Sequence, residues 1–169
     1  RPRARAPIRV AGDLPRVSVI TNLENLGIAA ALNIGIRLGI SHGRRWVATF
    51  DQDSLAPPDY MESLLRAYGA APERERVALI APGYRDQRTG VVQRRRIFMG
   101  KSLVAGSAIT SGSLVDSRVF ATVGFFDERL FMDFVDMEFN LRLMKNGFRI
   151  VKSAETVLDH NLGDSSRHR

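Results

Sequence analysis

"RWVATFDQDSLAPPDYMESLLRAYGA", residues 45–70, decides how the chain is read. Its first six residues are a short, β-prone apolar run, the pattern of a strand buried inside a sheet. The run ends abruptly in Asp51-Gln52-Asp53-Ser54, and Pro57 and Pro58 then stop any regular continuation. Pro58 suits the first turn of a helix, expected over 58–70. Upstream, "IAAALNIGIRLGISHG" (28–43) has alanines and aliphatics at helical spacing and a C-capping Gly43. A polar turn (21–27) and a β-branched strand, "RVSVI" (16–20), precede it. Downstream, "RVALIAP" (76–82) is another buried strand. Residues 16–82 therefore read strand, helix, strand, helix, strand. That order implies an α/β, Rossmann-like domain with a mostly parallel sheet flanked by helices.

The rest of the chain is less regular. "VVQRRRIFMG" (91–100) fits a strand or a flap. "SAITSGSLVDSRVFATVGFFDE" (107–128) reads as a short strand, a small-residue turn at Ser111-Gly112-Ser113, and a helix from Asp116 to Val123. "DFVDMEFNLRLMKNGFRI" (133–150) is a helix closed by Asn146-Gly147 and followed by a strand, with Met137, Leu141 and Met144 as its core stripe. A final strand and polar tail lie within 154–164. The expected organisation is a basic, poorly ordered lead (1–15), one domain (16–164) and a tail (165–169).

Composition narrows the classes. The chain has 169 residues, 44% hydrophobic and 25% charged, which suits one globular domain with a real core. It has no cysteine, excluding disulfides and thiolate metal sites. No apolar run reaches the roughly 18 residues that cross a bilayer, and the N-terminal segment lacks the apolar centre of a signal peptide. A soluble, cytoplasmic protein is expected. The formal charge is +7, with the excess in local clusters: Arg1, Arg3, Arg5, Arg9 and Arg16; Arg94, Arg95 and Arg96; Arg167 and Arg169. Such clusters attract phosphates or anionic lipid, or are simply solvated surface.

In an open parallel sheet, ligands bind beyond the carboxyl ends of the strands. Asp51 and Asp53 stand at such an end. Two neighbouring carboxylates repel, and a divalent cation relieves the repulsion. Hard oxygen ligands suit Mg²⁺ or Mn²⁺, which complete their shell with water and substrate phosphate. The D-x-D spacing turns both side chains of an extended segment to one side. The alternative is that the pair caps the turn with help from Ser54. A second acidic group lies in "FMDFVDMEFNLRLMKNG" (131–147). Asp136, at the start of a helix, suits the helix dipole, and Glu138 with Arg142 makes an i, i+4 ion pair. Crowding of Asp133, Asp136 and Glu138 also offers a general base. A metal at Asp53 holding a diphosphate, with Asp136 taking a proton from a hydroxyl, suits transfer of a group off a nucleoside diphosphate.

With those motifs in place, the sequence resembles the inverting glycosyltransferases of family 2, with their GT-A fold, and within them the bacterial rhamnosyltransferases. The resemblance is carried by "NLGIAAALNIGI" (25–36), "WVATFDQDS" (46–54), "ITSGSLVD" (109–116), "VGFFDERLFMDFVDMEFNLRLMKNGFRI" (123–150) and "LDHNLGD" (158–164). It implies that Asp53 ligates Mg²⁺ or Mn²⁺ and that Asp51 contacts the donor ribose, sugar or metal. Asp136 would be the base, in the second place of a Glu-Asp motif whose first place is Val135 here. Gly27 and Asn33 would lie beside the nucleotide. Ser111, Gly112, Ser113 and Asp133 would line the sugar or acceptor side, and His160 would add a metal or diphosphate contact. The implied donor is dTDP-L-rhamnose. The implied acceptor is a surface glycan, often lipid-linked, at the inner face of the cell membrane. The resemblance begins at the family's third strand, so the nucleoside-gripping strands before it are expected to be missing, with exposed strand edges that favour homo-oligomers.

Two rival classes differ in their signals. A nucleotidyltransferase making nucleotide sugars needs a glycine-rich basic phosphate loop near the start of the sheet, which this chain lacks. A non-catalytic basic module would bind polyanions regardless of Asp53, yet no nucleic-acid motif is present. An inactive transferase fragment would keep the fold alone.

Overall fold

The computed structural model describes residues 17–86, 90, 92–93, 98–99, 102–104 and 107–160. The arginine clusters at both termini and at 94–96, the expected lead and the tail lie outside these residues. In chain order the elements are α1 (Gly27–Ser41), β1 (Trp46–Thr49), α2 (Tyr60–Gly69), β2 (Val77–Asp86), β3 (Val92–Gln93), β4 (Phe98–Met99), β5 (Ser102–Val104), β6 (Ser113–Asp116), α3 (Phe120–Val123), α4 (Val135–Lys145) and β7 (Arg149–His160).

Helix ends follow local chemistry. Gly43, at φ +66°, closes α1, and Gly147, at φ +78°, follows the end of α4, both conformations that glycine adopts without strain. Helix α2 starts just after Pro58, with the Tyr60 amide donating to the Pro57 carbonyl at 3.1 Å. Between Asp116 and Val123 the expected helix is a tight helical turn over 117–119 leading into α3, and the Asp116 carboxylate accepts from the Arg118 amide at its start.

The seven strands form one sheet in the order β1-β6-β2-β7-β5-β4, with β3 paired to β2. The expectation of a mostly parallel sheet is corrected: the sheet is mixed, and β2–β7 is the parallel pair among the described strands. Strands β1, β2 and β7 do point the same way. However, β6 lies between β1 and β2 and runs against both, with Trp46 opposite Asp116 and Thr49 opposite Ser113. The cause is the route of the chain. The segment before β6 arrives at the carboxyl end of β1, where the Gly112 amide donates to the Thr49 carbonyl, so β6 can only run back.

Alternation along the strands splits the core in two. On one face Leu79, Val115 and Ile150 meet Ile36 of α1, Phe120 and Val123 of α3, and Phe139 and Leu143 of α4. On the other face Ile80, Leu114, Val151 and Leu158 meet Tyr60 and Leu64 of α2. Phe120, Phe126 and Phe139 pack ring against ring beneath α4.

Four further expectations differ from the structure. Residues 17–20 form no strand, and Val17, Val19 and Ile20 are exposed. A strand needs a partner, and β1 ends the sheet with no described strand on its outer side. The short strand expected near 107 is an extended strap, and regular pairing starts only at Ser113. The buried stripe of α4 is Val135, Phe139 and Leu143; of the expected stripe Met144 is half-buried and packs against the core, while Met137 and Leu141 are exposed. Finally, the strand after α4 and the last strand are one continuous β7.

Candidate active site

Because β1, β2 and β7 share a direction, their carboxyl ends lie on one side of the sheet, and there the candidate residues gather. The acidic loop leaves β1 at Phe50. Its turn closes with the Ser54 amide donating to the Asp51 carbonyl at 3.2 Å. The Asp51 amide donates to Ser111 Oγ at 3.0 Å, and the Ser54 and Ser111 hydroxyls lie 2.7 Å apart. Thr49 Oγ1 donates to the Thr110 carbonyl at 2.5 Å. On its other flank the loop is bridged to β7: the Leu55 amide donates to the Asp159 carbonyl at 3.0 Å and the Asp159 amide returns the bond at 3.3 Å. The backbone of His160 therefore ends β7 beside the acidic loop, although nothing is described of its side chain.

Ser111, Gly112 and Ser113 form the turn that anchors this loop. Ser111 and Ser113 are both buried, and Ser113 Oγ donates to the Ile109 carbonyl at 2.6 Å. Gly112 is at φ +72°, and a Cβ there would lie 2.7 Å from the Tyr60 hydroxyl and 2.8 Å from Leu158 Cδ2. Such a turn admits glycine alone. The Tyr60 hydroxyl is buried with no hydrogen-bond partner among the described residues, and burial pushes its phenol up. Ser111 and Ser113 thus hold the backbone of the loop and strap from within.

The same strap leads to a cleft of about 520 Å³. Ser107, Ala108 and Ile109 line it together with Tyr84 of β2, Lys152 of β7, and Phe134, Asp136, Met137 and Asn140 at the start of α4. Asn140 is buried and donates to the Ala108 carbonyl at 2.7 Å, which ties α4 to the strap. Asp136 Oδ1 accepts from the Met137 amide at 2.7 Å, and its carboxylate remains at the cleft wall. Asp133 is exposed in the preceding turn and does not line the cleft. Glu138 is engaged by Arg142 in a bidentate pair at 2.7 and 2.8 Å, and of the three carboxylates expected to crowd together only Asp136 lines the cleft. Among the described residues no three acidic or histidine side chains converge into a metal cage.

Gly27 and Asn33 lie elsewhere. Gly27, at φ +84°, starts α1 where a Cβ would lie 2.5 Å from the Phe131 carbonyl, and the Ile28 amide donates to that carbonyl at 2.7 Å. This contact docks α1 against the turn before α4. Asn33 is buried. Its amide nitrogen donates to the Phe126 carbonyl and to Glu128, each at 2.9 Å, and its oxygen accepts from the Phe126 amide at 3.0 Å. The strap therefore ties the backbone of Asp51 at its Ser111 end and lines the cleft with Asp136 at its other end; neither Asp51 nor Asp53 lines that cleft, and Asn33 lies in the core.

The cleft also holds residues that the sequence reading did not single out: Tyr84, Lys152, Phe134 and Asn140. Asn140 had a signal, as a polar residue one turn beyond Asp136. Tyr84 and Lys152 had none, because only the pairing of β2 with β7 brings them together.

A family model, that of glycosyl transferase family 2, matches residues 5–124, which includes the acidic loop and the strap. The chain belongs to glycosyl transferase family 2. It is similar to the dTDP-rhamnosyl transferase RfbF of Shigella flexneri, at 29% identity over 167 residues. That match takes in 91% of this chain and 55% of the relative, so the chain spans about half the relative's length. Among solved structures it is similar to that of GalNAc-T7 with UDP, GalNAc and Mn²⁺, with a TM-score of 0.63 and 11% identity, over 83% of this chain and 31% of that one. This likeness shows the fold: a GT-A-like α/β domain. No helix among the described residues is long and apolar enough to cross a membrane.

Proposed function

We propose that this chain forms part of an inverting glycosyltransferase that moves L-rhamnose from dTDP-L-rhamnose to a hydroxyl of a bacterial surface glycan. The observation that carries the reading is the strap 107–113, which anchors the acidic loop at one end and lines the Asp136 cleft at the other. The rhamnosyl donor is supported by the similarity to RfbF.

The donor set at the acidic loop fits a hard divalent cation. Mg²⁺ and Mn²⁺ need only one or two carboxylates when diphosphate and water complete the shell. Asp53 and Asp51 would hold the ion, and His160 stands in the neighbouring chain position. When bound, such an ion neutralises charge on a departing diphosphate. Asp136 accepts the proton of the acceptor hydroxyl while that oxygen bonds to the anomeric carbon. The bond from that carbon to the phosphate oxygen breaks on the opposite face, so the configuration inverts. Ser111 and Ser113 position the acidic loop and strap from beneath. A cytoplasmic site at the inner membrane face, with a lipid-linked acceptor, suits this chemistry.

Calorimetric titration of dTDP and dTDP-L-rhamnose, with Mn²⁺ and with EDTA, tests the reading. Binding that needs the metal and disappears in Asp53→Ala supports it. Binding that ignores both changes, or no binding by the native chain, counts against it.

A further inference from the structure

The turn before α4 breaks two local rules at one residue. Phe134 occupies the N-cap of α4, where Asn, Asp, Ser or Thr would satisfy an open backbone amide, and it makes no side-chain cap. Its backbone lies at φ +64°, ψ +5°, the left-handed region in which the Cβ of an L residue crowds the following carbonyl oxygen. Yet the ring is not buried in compensation: Phe134 is 64% exposed. Asparagine would suit this position on both counts. Unfavourable local choices that persist without a packing return gather at functional sites.

Its surroundings say what the ring meets. Phe134 and Met137 line the cleft with Asp136, and the other walls are polar: Tyr84, Ser107, Asn140 and Lys152. A ligand there needs one apolar face and a polar edge. Within the cleft the charges of Asp136 and Lys152 offset each other, and Asp133 adds a further carboxylate next to Phe134 in the chain, so the surroundings do not favour an anionic lipid surface or a phosphate. A neutral pyranose, with C–H groups on one face and hydroxyls at its rim, meets every one of these requirements. We propose that Phe134 is a stacking platform for the apolar face of a neutral acceptor pyranose, holding one hydroxyl of that sugar toward Asp136. The inference rests on the transferase reading and adds the acceptor's chemistry to it.

The test uses the full chain, with Phe134→Asn and Phe134→Trp, three measurements and simple probes. Melting of Phe134→Asn should rise by about 2–4 °C, because strain is relieved and a cap is gained. Saturation-transfer NMR with methyl α-L-rhamnopyranoside, methyl β-D-glucopyranoside and methyl N-acetyl-β-D-glucosaminide should show contact to the sugar C–H face in the native chain. That contact should weaken roughly fivefold or more in Phe134→Asn and persist in Phe134→Trp. Equal sugar contact in Phe134→Asn, a lower melting temperature for it, or no contact with any of the three sugars overturns the platform. So does Phe134-dependent sedimentation with phosphatidylglycerol–phosphatidylethanolamine vesicles, which would make the ring a membrane anchor. Titration of dTDP with Mn²⁺ separates the two claims. Absence of nucleotide binding overturns the transferase reading, whereas intact nucleotide binding with Phe134-independent sugar contact overturns the platform alone.

Discussion

In the acidic loop after β1, backbone amides and hydroxyls find partners: Asp51 with Ser111, Ser54 with Ser111, Leu55 with Asp159. In the turn before α4 the pattern is reversed. Phe131 and Phe134 both sit at positive φ, no side chain caps the helix, and Phe131, Met132 and Phe134 are exposed. One region is held by several weak bonds to the turn before β6 and to β7, the other by a helix that begins in a strained conformation. The difference suits their proposed tasks. A site for a cation and a diphosphate needs carboxylates fixed in advance, because electrostatic stabilisation is strongest when nothing reorganises. A site for a sugar needs an apolar surface in contact with solvent.

The largest effect should come from the second region. Asp136→Asn should lower transfer by about 10²–10⁴-fold while leaving metal-dependent dTDP binding intact. Steady-state kinetics beside calorimetry would check this, and undiminished turnover would remove Asp136 from the mechanism. The first region should respond through structure instead. Gly112→Ala forces a left-handed alanine against Tyr60 and Leu158, and should destabilise by about 2–4 kcal/mol in urea unfolding. A neutral result would mean that the turn can relax and that the loop is not rigidly anchored.

Ser111→Ala removes the hydroxyl between Asp51 and Ser54, with an expected loss of about 1–3 kcal/mol and weaker metal-dependent donor binding. If stability falls but donor binding is unchanged, the bonds support the fold and not the site. The smallest effect is on acid stability. Burial pushes the Asp116 carboxyl upward, but hydrogen bonds from Arg118 and Arg45 outweigh it and hold the group below its ordinary value. The Arg129 guanidinium holds Asp127 at about 2. A carboxyl depressed in the folded state contributes stability above its unfolded value, and that contribution is lost as pH falls through the folded one. Urea midpoints should therefore be flat above about pH 5 and decline from about pH 4 toward pH 2. Asp127→Asn should shallow that decline. Neither group touches the acidic loop or the cleft, so metal-dependent donor binding by Asp127→Asn should match the native chain at neutral pH.

Much of this was readable without coordinates. Apolar runs and their punctuation located β1, α2, β2 and α4 to within a few residues, because burial imposes a period and glycine or proline ends it. The positions of the Asp51/Asp53 loop after a strand and of Asp136 at the start of a helix were also readable, since both motifs are local. The strand expected at 16–20 failed for the opposite reason: Val17, Val19 and Ile20 favour a strand, but pairing depends on a neighbour that propensity does not supply. The core stripe of α4 held at Met144 and failed at Met137 and Leu141, because these two are as apolar as the residues actually buried, and only packing against Phe120 and Phe126 selects Val135, Phe139 and Leu143.

By itself the sequence determined the segments of α1, β1, α2, β2 and α4, where the two acidic motifs lie, and that the chain is an α/β domain; these are consequences of local conformation and periodic burial. The tertiary structure alone decided that β6 runs between β1 and β2, that Asn33 belongs to the core, and that Tyr84 and Lys152 share a cleft with Asp136. Those facts depend on contacts between residues distant in sequence, and a chain carries no local record of which distant partner it will meet.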